Sequence, residues 1–161
     1  MLESILQIRD AFITELEACP SLKNVKFYKA FPLLYMEQPI TGVAAAVELM
    51  EITAGKSGFG SYAGFGAQGE TFASNMKIQL GVSILCDAHT NAEGCWKAFG
   101  SICDKLLLEP NSFAATNVSC ESIKYDSRSM GMLLKATVTL SPIGISNRTP
   151  AGFDKIQLNK Q

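Results

Sequence analysis

The residues that most suggest chemistry lie in a glycine-rich stretch, residues 54–74, which holds six glycines in 21 residues. Gly55, Lys56 and Ser57 match the end of a phosphate-binding P-loop. That motif needs another glycine at the place of Met50, and a helix directly after the lysine and serine so that backbone N–H groups converge on phosphate. Further glycines follow instead, and the next predicted element is a strand. We therefore expect no P-loop here.

Residues 64–69, GFGAQG, fit the dinucleotide-binding pattern G-x-G-x-x-G by letter. The fingerprint needs a strand before it and a helix after it, and the sequence predicts neither. A kinase-type loop has the right local topology, but this chain is too short for the other kinase parts. The stretch does carry four aromatic residues, Phe59, Tyr62, Phe65 and Phe72. They predict either a solvent loop or, as we favour, a contact loop that becomes ordered against a partner.

His89 is the only histidine, and Cys86, Asp87 and Cys95 lie near it in the sequence. A zinc site needs four ligands at defined spacing, and this set does not supply them. Cys86 falls on the core face of a predicted strand, and Cys95 lies next to the predicted buried stripe of a helix. The five cysteines are odd in number and irregularly spaced, which favours reduced, mostly buried thiols. We expect a strand-to-helix connection here, without a metal site or thiol catalysis.

Paired carboxylates give no better candidate for acid–base catalysis. Strand periodicity predicts Glu48 and Glu51 on opposite faces of one strand, and Glu15 and Glu17 on a solvated helix face. No Ser-His-Asp order with a nucleophile elbow is present. The sequence therefore predicts no catalytic residue, no cofactor and no metal, and we expect a protein that is not an enzyme.

The composition of the chain limits which classes of protein and of function remain. The chain has 161 residues, 47% of them hydrophobic and 18% charged, which is typical of one folded domain and excludes disorder of the whole chain. The formal net charge of −1 gives no whole-molecule field for nucleic acid or an anionic membrane, and it makes self-association easy. No apolar run is long enough to span a bilayer, and no secretory signal is visible.

Hydrophobic periodicity predicts the elements that would carry these residues. Two helices are expected over residues 2–18 and 91–108, the second capped by Thr90 or Asn91 and buried through a stripe that includes Trp96. Strands are expected over residues 25–31, 42–53, 75–86, 118–125 and 130–140, and the third and fifth alternate most clearly. The prediction is an α+β fold of order α-β-β-β-α-β-β, with two helices on one face of a mostly antiparallel sheet of about five strands.

The predicted domain organisation is simple. Residues 1–146 form a single α+β domain, with residues 54–74 as a flexible glycine-rich loop. Residues 147–161 have lost periodicity and are expected to form an extended C-terminal tail.

This order of elements resembles the tail-terminator (tail-completion) proteins of tailed bacteriophages. The similarity covers about 140 residues: the two helices, the five strands, the flexible excursion between the second and third strands, and the segment SPIGIS at residues 141–146. It rests on the order of elements and not on an invariant motif. The family has no catalytic residues to carry over.

The resemblance implies a virion structural protein that forms a hexameric ring on the tail tube, ends tail polymerisation and presents the head-attachment surface. Implied partners are further copies of the chain, the tail tube protein, possibly the tail sheath and the head-completion or connector protein of the neck. DNA would pass through the lumen without sequence-specific binding, and no membrane is involved. The expected location is the tail–neck junction of the virion, after assembly in the host bacterial cytoplasm.

Candidate assembly contacts come from the aromatic loop and the tail: Phe59, Tyr62, Phe65, Phe72, Arg148 and Phe153. Two alternatives remain open at this point. One is another phage neck or head–tail joining protein, and the other is an unrelated ligand-binding α+β domain.

Overall fold

The computed structural model describes residues 2–31, 39–56, 62–66, 69–111, 113–141, 143–148 and 156–158. Within these residues the chain forms two α-helices and nine strands. In chain order they are α1 (Leu2–Glu17), β1 (Val25–Tyr28), β2 (Val43–Lys56), β3 (Tyr62–Gly66), β4 (Gly69–Asp87), α2 (Glu93–Cys103), β5 (Ala115–Cys120), β6 (Lys124–Asp126), β7 (Gly131–Leu140), β8 (Ile143–Arg148) and β9 (Ile156–Leu158). The α+β class is confirmed, with more strands than the five or so expected.

One mixed sheet contains all of these strands, and β4 lies at its centre. The main order is β1-β2-β4-β7-β5, in which β1 is parallel to β2 and the other pairs are antiparallel. β3 and β8 pair with the first part of β4, β9 pairs with β8, and β6 pairs with β7. At about 3.3 Å per residue, the 19 residues of β4 extend for about 60 Å. This strand is therefore long enough to run through the body of the domain and beyond it.

The main core lies between the two helices and one face of the sheet. Phe12 and Leu16 of α1 are fully buried there, and Phe12 packs edge-on against Phe113 with ring centroids 5.4 Å apart. The sheet supplies the alternating residues that periodicity predicted in β4 and β7: Ile78, Leu80, Val82, Ile84, Cys86, Leu134, Ala136, Val138 and Leu140. Both helices therefore pack on one face, as expected.

The opposite face of the sheet has a second, smaller apolar cluster. Ile40, Ala44 and Leu85 are buried there, with Phe31 and Leu133 packed against them. The backbone N–H of Ile40 donates to the carbonyl oxygen of Ser129 at 3.2 Å, which ties the connection between β1 and β2 to the turn before β7. The rest of that face is largely polar.

Helix α2 differs from its prediction in rotation and in start. Its buried residues are Cys95, Ala98 and Ile102, whereas Trp96, expected in the buried stripe, is 50% exposed. The expected cap at Thr90 or Asn91 is also wrong, because the residue before the helix is Ala92, in the left-handed region and without a side-chain cap. Residues 88–90 form a short 3-10 turn instead.

A β-bulge in β2 overturns the expectation for its two glutamates. Leu49 pairs with Leu80 and Glu51 pairs with Gln79, so Met50 is an extra residue in the ladder. One inserted residue reverses the alternation that follows it. Glu48 and Glu51 therefore lie on the same face, the polar one, and Ile52 returns to the core face opposite Ile78.

The remaining differences concern strand boundaries. The strand expected over residues 118–125 is two short strands, β5 and β6, which pair with successive parts of β7. The region expected as a glycine-rich loop contains β3 and the beginning of β4, and the segment beyond β7 contains β8 and β9. The helical stretch after α2 ends in a π turn, residues 104–108.

Candidate assembly surface

The sheet continues beyond the part that the helices cover. We call this continuation the arm; it consists of β3, residues 69–75 of β4, β8 and β9. β3 pairs with one edge of β4 and β8 with the other, and β9 pairs with the outer edge of β8. Both edges of β4 stay paired from the body into the arm. On one edge, Leu140 of β7 lies opposite Ile78 and Ile143 of β8 lies opposite Asn75. On the other edge, Lys56 of β2 lies opposite Ser74 and Tyr62 of β3 lies opposite Phe72.

The register of the arm places four of the predicted contact residues on one face. Tyr62 pairs with Phe72, Phe65 pairs with Glu70, and Glu70 in turn pairs with Arg148. Directly opposite residues share a face, and so do residues two apart on one strand. Tyr62, Phe65, Phe72 and Arg148 therefore belong to a single face, which we call the aromatic face of the arm.

Two further apolar residues join this face through β9. Ser146 lies between Phe72 and Ile156 in the ladder, and Gly144 lies opposite Leu158. Ile156 and Leu158 were not among the candidate contacts, although the alternation Ile-Gln-Leu was a usable period-2 signal. The two isoleucines of β8, Ile143 and Ile145, occupy the other face of the arm. Phe59 and Phe153 lie outside the described residues.

The aromatic face of the arm continues the core face of the body. Residues 70, 72 and 74 of β4 share their face with Met76 and Ile78, and Ile78 is fully buried beneath the helices. In the described part of the chain, the sheet strands on which α1 and α2 mainly pack are β1, β2, β4 and β7. The face of β4 that is buried in the body thus continues into the arm, where Glu70, Phe72 and Ser74 occupy it.

A second apolar surface lies on one side of α2. Trp96 is 50% exposed, Leu107 is 48% exposed and Leu108 is 78% exposed. The Trp96 ring packs edge-on against Phe99, with centroids 6.4 Å apart and planes at 76°. Leu107 and Leu108 lie in the π turn, in which the N–H of Glu109 donates to the carbonyl oxygen of Asp104 at 3.0 Å.

The thiols near His89 are structural. Cys95 and Cys86 are both buried, and their sulfur atoms lie 3.0 Å apart between α2 and β4. Burial, followed by hydrogen bonding to Cys86, raises the pKa of the Cys95 thiol far above its usual value. A thiol that keeps its proton is a poor nucleophile and a poor metal ligand. This pair therefore has the character of core packing.

His89 lies in the 3-10 turn that joins β4 to α2. Its backbone N–H donates to Oδ1 of Asp87 at 2.8 Å, and Thr90 Oγ1 donates to the Asp87 carbonyl oxygen at 3.0 Å. Asp87 thus stabilises the start of the connection that the sequence predicted at this place. Among the described residues, no group of three or more His, Cys, Asp or Glu side chains is placed to hold a metal ion.

A cleft of about 440 Å³ opens where the arm leaves the body. Thr53, Asn75, Lys77 and Ser141 contribute polar side chains to it, together with Gly55 and Met76. Among the described residues that line the cleft, Lys77 is the one with a titratable side chain.

Comparisons with known proteins assign no family: no protein-family model matches the chain, and no curated protein matches it. In the part of the chain that is described, neither helix has the length and apolar character needed to cross a bilayer.

Proposed function

We propose that this protein is a structural component of a phage virion that forms a ring on the end of the tail tube. The ring ends polymerisation of the tube and provides the surface to which the head attaches. A hexamer is the stoichiometry implied by the resemblance to tail terminators. The tube protein and the head-completion or connector protein of the neck are its partners, and DNA passes through the lumen.

The single observation that carries this proposal is the register of the arm. It continues the face of β4 that is buried in the body and sets Tyr62, Phe65 and Phe72 at neighbouring positions of that face. Aromatic residues at such positions contribute a large apolar area when a partner buries them. An assembly protein needs such a surface, whereas an enzyme needs a polar pocket with paired titratable groups.

The charge of the chain supports association with copies of itself. A net charge of −1 causes little repulsion between identical subunits. Glu70 and Arg148 lie directly opposite each other on the aromatic face, so that face carries one acidic and one basic residue. Opposite charges at such cross-strand positions are favourable, by roughly 0.2–1 kcal/mol.

The test is electron microscopy of the purified chain in negative stain, alone at high concentration and after mixing with polymerising tail tube protein. We expect rings with a central hole, a ring at one end of each tube, and tubes that stop growing. The variant Phe65→Ser/Phe72→Ser should lose both behaviours because it removes two aromatic side chains from the proposed contact. Ile145→Ser is the matched control, since it removes an apolar side chain from the opposite face of the arm.

Circular dichroism of each variant shows whether the body remains folded. Single small particles at every concentration, together with no effect on tubes, would contradict the proposal. Binding to head-connector proteins but not to tubes would indicate a different neck component. A small-molecule ligand bound by a monomer would indicate a ligand-binding domain instead.

A further inference from the structure

The thiols of Cys86 and Cys95 meet at the junction of β4 and α2. Cys86 is the last residue but one of β4, and Cys95 is the third residue of α2. Both side chains are buried, and their Sγ atoms lie 3.0 Å apart. Cys95 Sγ also lies 3.3 Å from the carbonyl oxygen of Met132 and 3.5 Å from that of Ile84. The two sulfur atoms are therefore enclosed together between α2, β4 and β7.

The glycine before Cys95 permits this close approach. A Cβ atom at Gly94 would lie 2.9 Å from Val43 Cγ2, 3.2 Å from Cys86 Cβ and 3.7 Å from Cys86 Sγ. A larger residue at position 94 would push the start of α2 away from β4 and separate the two sulfur atoms. The packing of Gly94 thus places Cys95 against Cys86.

The short connection between the two cysteines bends back through an unfavourable backbone conformation. Asn91 and Ala92, which come directly before α2, have φ values of 49° and 63°. Such values are uncommon for residues other than glycine, and they persist only where the surrounding structure imposes them. The contacts on either side of the bend, among them that of Cys86 with Cys95, therefore hold it in place.

We propose that Cys86 and Cys95 form a reversible redox site, in which a small peroxide converts the two thiols into a disulfide that locks the start of α2 to β4. A disulfide bond is about 2.05 Å long, so the two sulfur atoms need to move about 1 Å closer. The inference is independent of the proposed function, because it concerns the body of a single subunit.

The reaction consumes one molecule of hydrogen peroxide for each disulfide. The thiolate of Cys86 attacks one peroxide oxygen, the O–O bond breaks, and the departing hydroxide takes up a proton to become water. As Cys95 gives up its proton, its sulfur attacks the sulfenic sulfur of Cys86, the S–O bond breaks, and the leaving hydroxide takes that proton to form a second water. Two electrons pass from the two thiols to the peroxide.

Burial sets the order and the rate of these steps. Burial raises the pKa of the Cys95 thiol, so Cys86 is the thiol that reacts with the peroxide. The peroxide reaches Cys86 when the turn at residues 88–90, which is largely exposed, opens locally. Because Cys95 is already in contact with Cys86, it reacts with the sulfenic acid before a second peroxide does.

The disulfide should stabilise the folded chain. It closes a loop of the ten residues from Cys86 to Cys95, which restricts the unfolded chain more than the folded one. For a chain of this size we expect Tm to rise by roughly 5–10 °C on oxidation. Dithiothreitol should return Tm to its starting value.

Peptide mapping of the folded chain after treatment with hydrogen peroxide is the test. Trypsin cleaves after Lys77 and Lys97, so both cysteines lie in one peptide, residues 78–97, which contains no methionine. This peptide should become lighter by two hydrogen atoms. After a further cleavage behind Glu93, its two parts should stay joined until dithiothreitol is added. Differential scanning calorimetry of the same sample should show the higher Tm.

Cys95→Ala and Cys103→Ala are matched variants, since each removes one thiol from α2. With peroxide, Cys95→Ala should take up oxygen at Cys86 and show no rise in Tm, whereas Cys103→Ala should form the disulfide as the wild type does. Circular dichroism shows whether each variant is folded, and the wild-type map decides alone where one is not. Persistence of both free thiols, a bond from either one to another cysteine, or a disulfide that lowers Tm would overturn the proposal.

Discussion

Gly131 offers the sharpest test of the packing in the body, because a methyl group there would collide with backbone. A Cβ atom at this position would lie 2.7 Å from the carbonyl oxygen of Cys86 and 2.8 Å from Ile40 Cγ2. Cys86 belongs to the central strand β4, and Gly131 lies opposite Asp87 at the start of β7. Gly131→Ala therefore forces β7 away from β4, or Ile40 away from its cluster, by several tenths of an ångström.

Overpacking of this kind costs about 1–3 kcal/mol of unfolding free energy. For a chain of this size, each kcal/mol corresponds to roughly 2–4 °C in Tm, so we expect Gly131→Ala to melt roughly 2–10 °C below the wild type. Differential scanning calorimetry and urea titration measure the change. Gly100→Ala is the matched control, since the same methyl group there meets nothing within 4 Å and should not lower Tm. Equal or higher stability of Gly131→Ala would refute the close approach of β7 to β4.

Three further predictions concern the folded body. The hydroxyl and the backbone N–H of Ser129 donate to Oδ2 of Asp126 at 2.6 and 3.1 Å, and these hydrogen bonds lower the pKa of the Asp126 carboxyl. The ionised carboxylate therefore stabilises the fold at neutral pH, and this stabilisation is lost as the pH falls below about 4. Asp126→Asn should therefore be less stable than the wild type at pH 7, and urea titrations from pH 7 to 3 should show the two stabilities converge. At pH 8, the buried thiols of Cys86 and Cys95 should react with iodoacetamide more slowly than the half-buried thiols of Cys103 and Cys120. Mass spectrometry of the labelled peptides measures the order, and simultaneous labelling of all four thiols would contradict the burial of Cys86 and Cys95. Leu134→Ala, at a fully buried site, should cost about 2–5 kcal/mol in urea titration, and a loss below 1 kcal/mol would contradict its place in the core.

The parts of the fold that sequence predicted well are those with a one-sided environment. β4 and β7 each have the helices on one face and a largely polar opposite face, so their alternation is regular and their core residues can be assigned by period. β2 departs from this rule only where Met50 is inserted. The residue types of β2 give no sign of the bulge. One extra residue is enough to reverse the faces on which Glu51 and Ile52 lie.

The prediction for α2 placed the centre of its buried side too close to Trp96. The structure buries Cys95, Ala98 and Ile102 there, and Trp96 is half exposed. Small residues allow the helix to approach the sheet closely. At Gly94 a Cβ atom would lie only 2.9 Å from Val43 Cγ2, which shows how close that approach is. Trp96 therefore lies at the side of the helix, where it packs against Phe99.

The arm was hidden from sequence reasoning by its glycines. Residues 54–74 were expected to be a loop because six glycines weaken any strand signal. In the structure, β3 and the start of β4 pair there, with Tyr62 opposite Phe72, and a long central strand supplies the template for β8 as well. The pairing of β3 with β4 is local, whereas residues 143–148 pair with residues 70–75 from far along the chain, which is a tertiary effect that no local pattern encodes.

The continuity of β4 has a consequence for the geometry of an assembly. Since one strand of 19 residues belongs both to the body and to the arm, the arm leaves the body at an angle set by strand twist and not by a hinge loop. β8 continues the edge that β7 occupies in the body, which stiffens the junction further. In the proposed ring, this angle would constrain how neighbouring subunits are arranged.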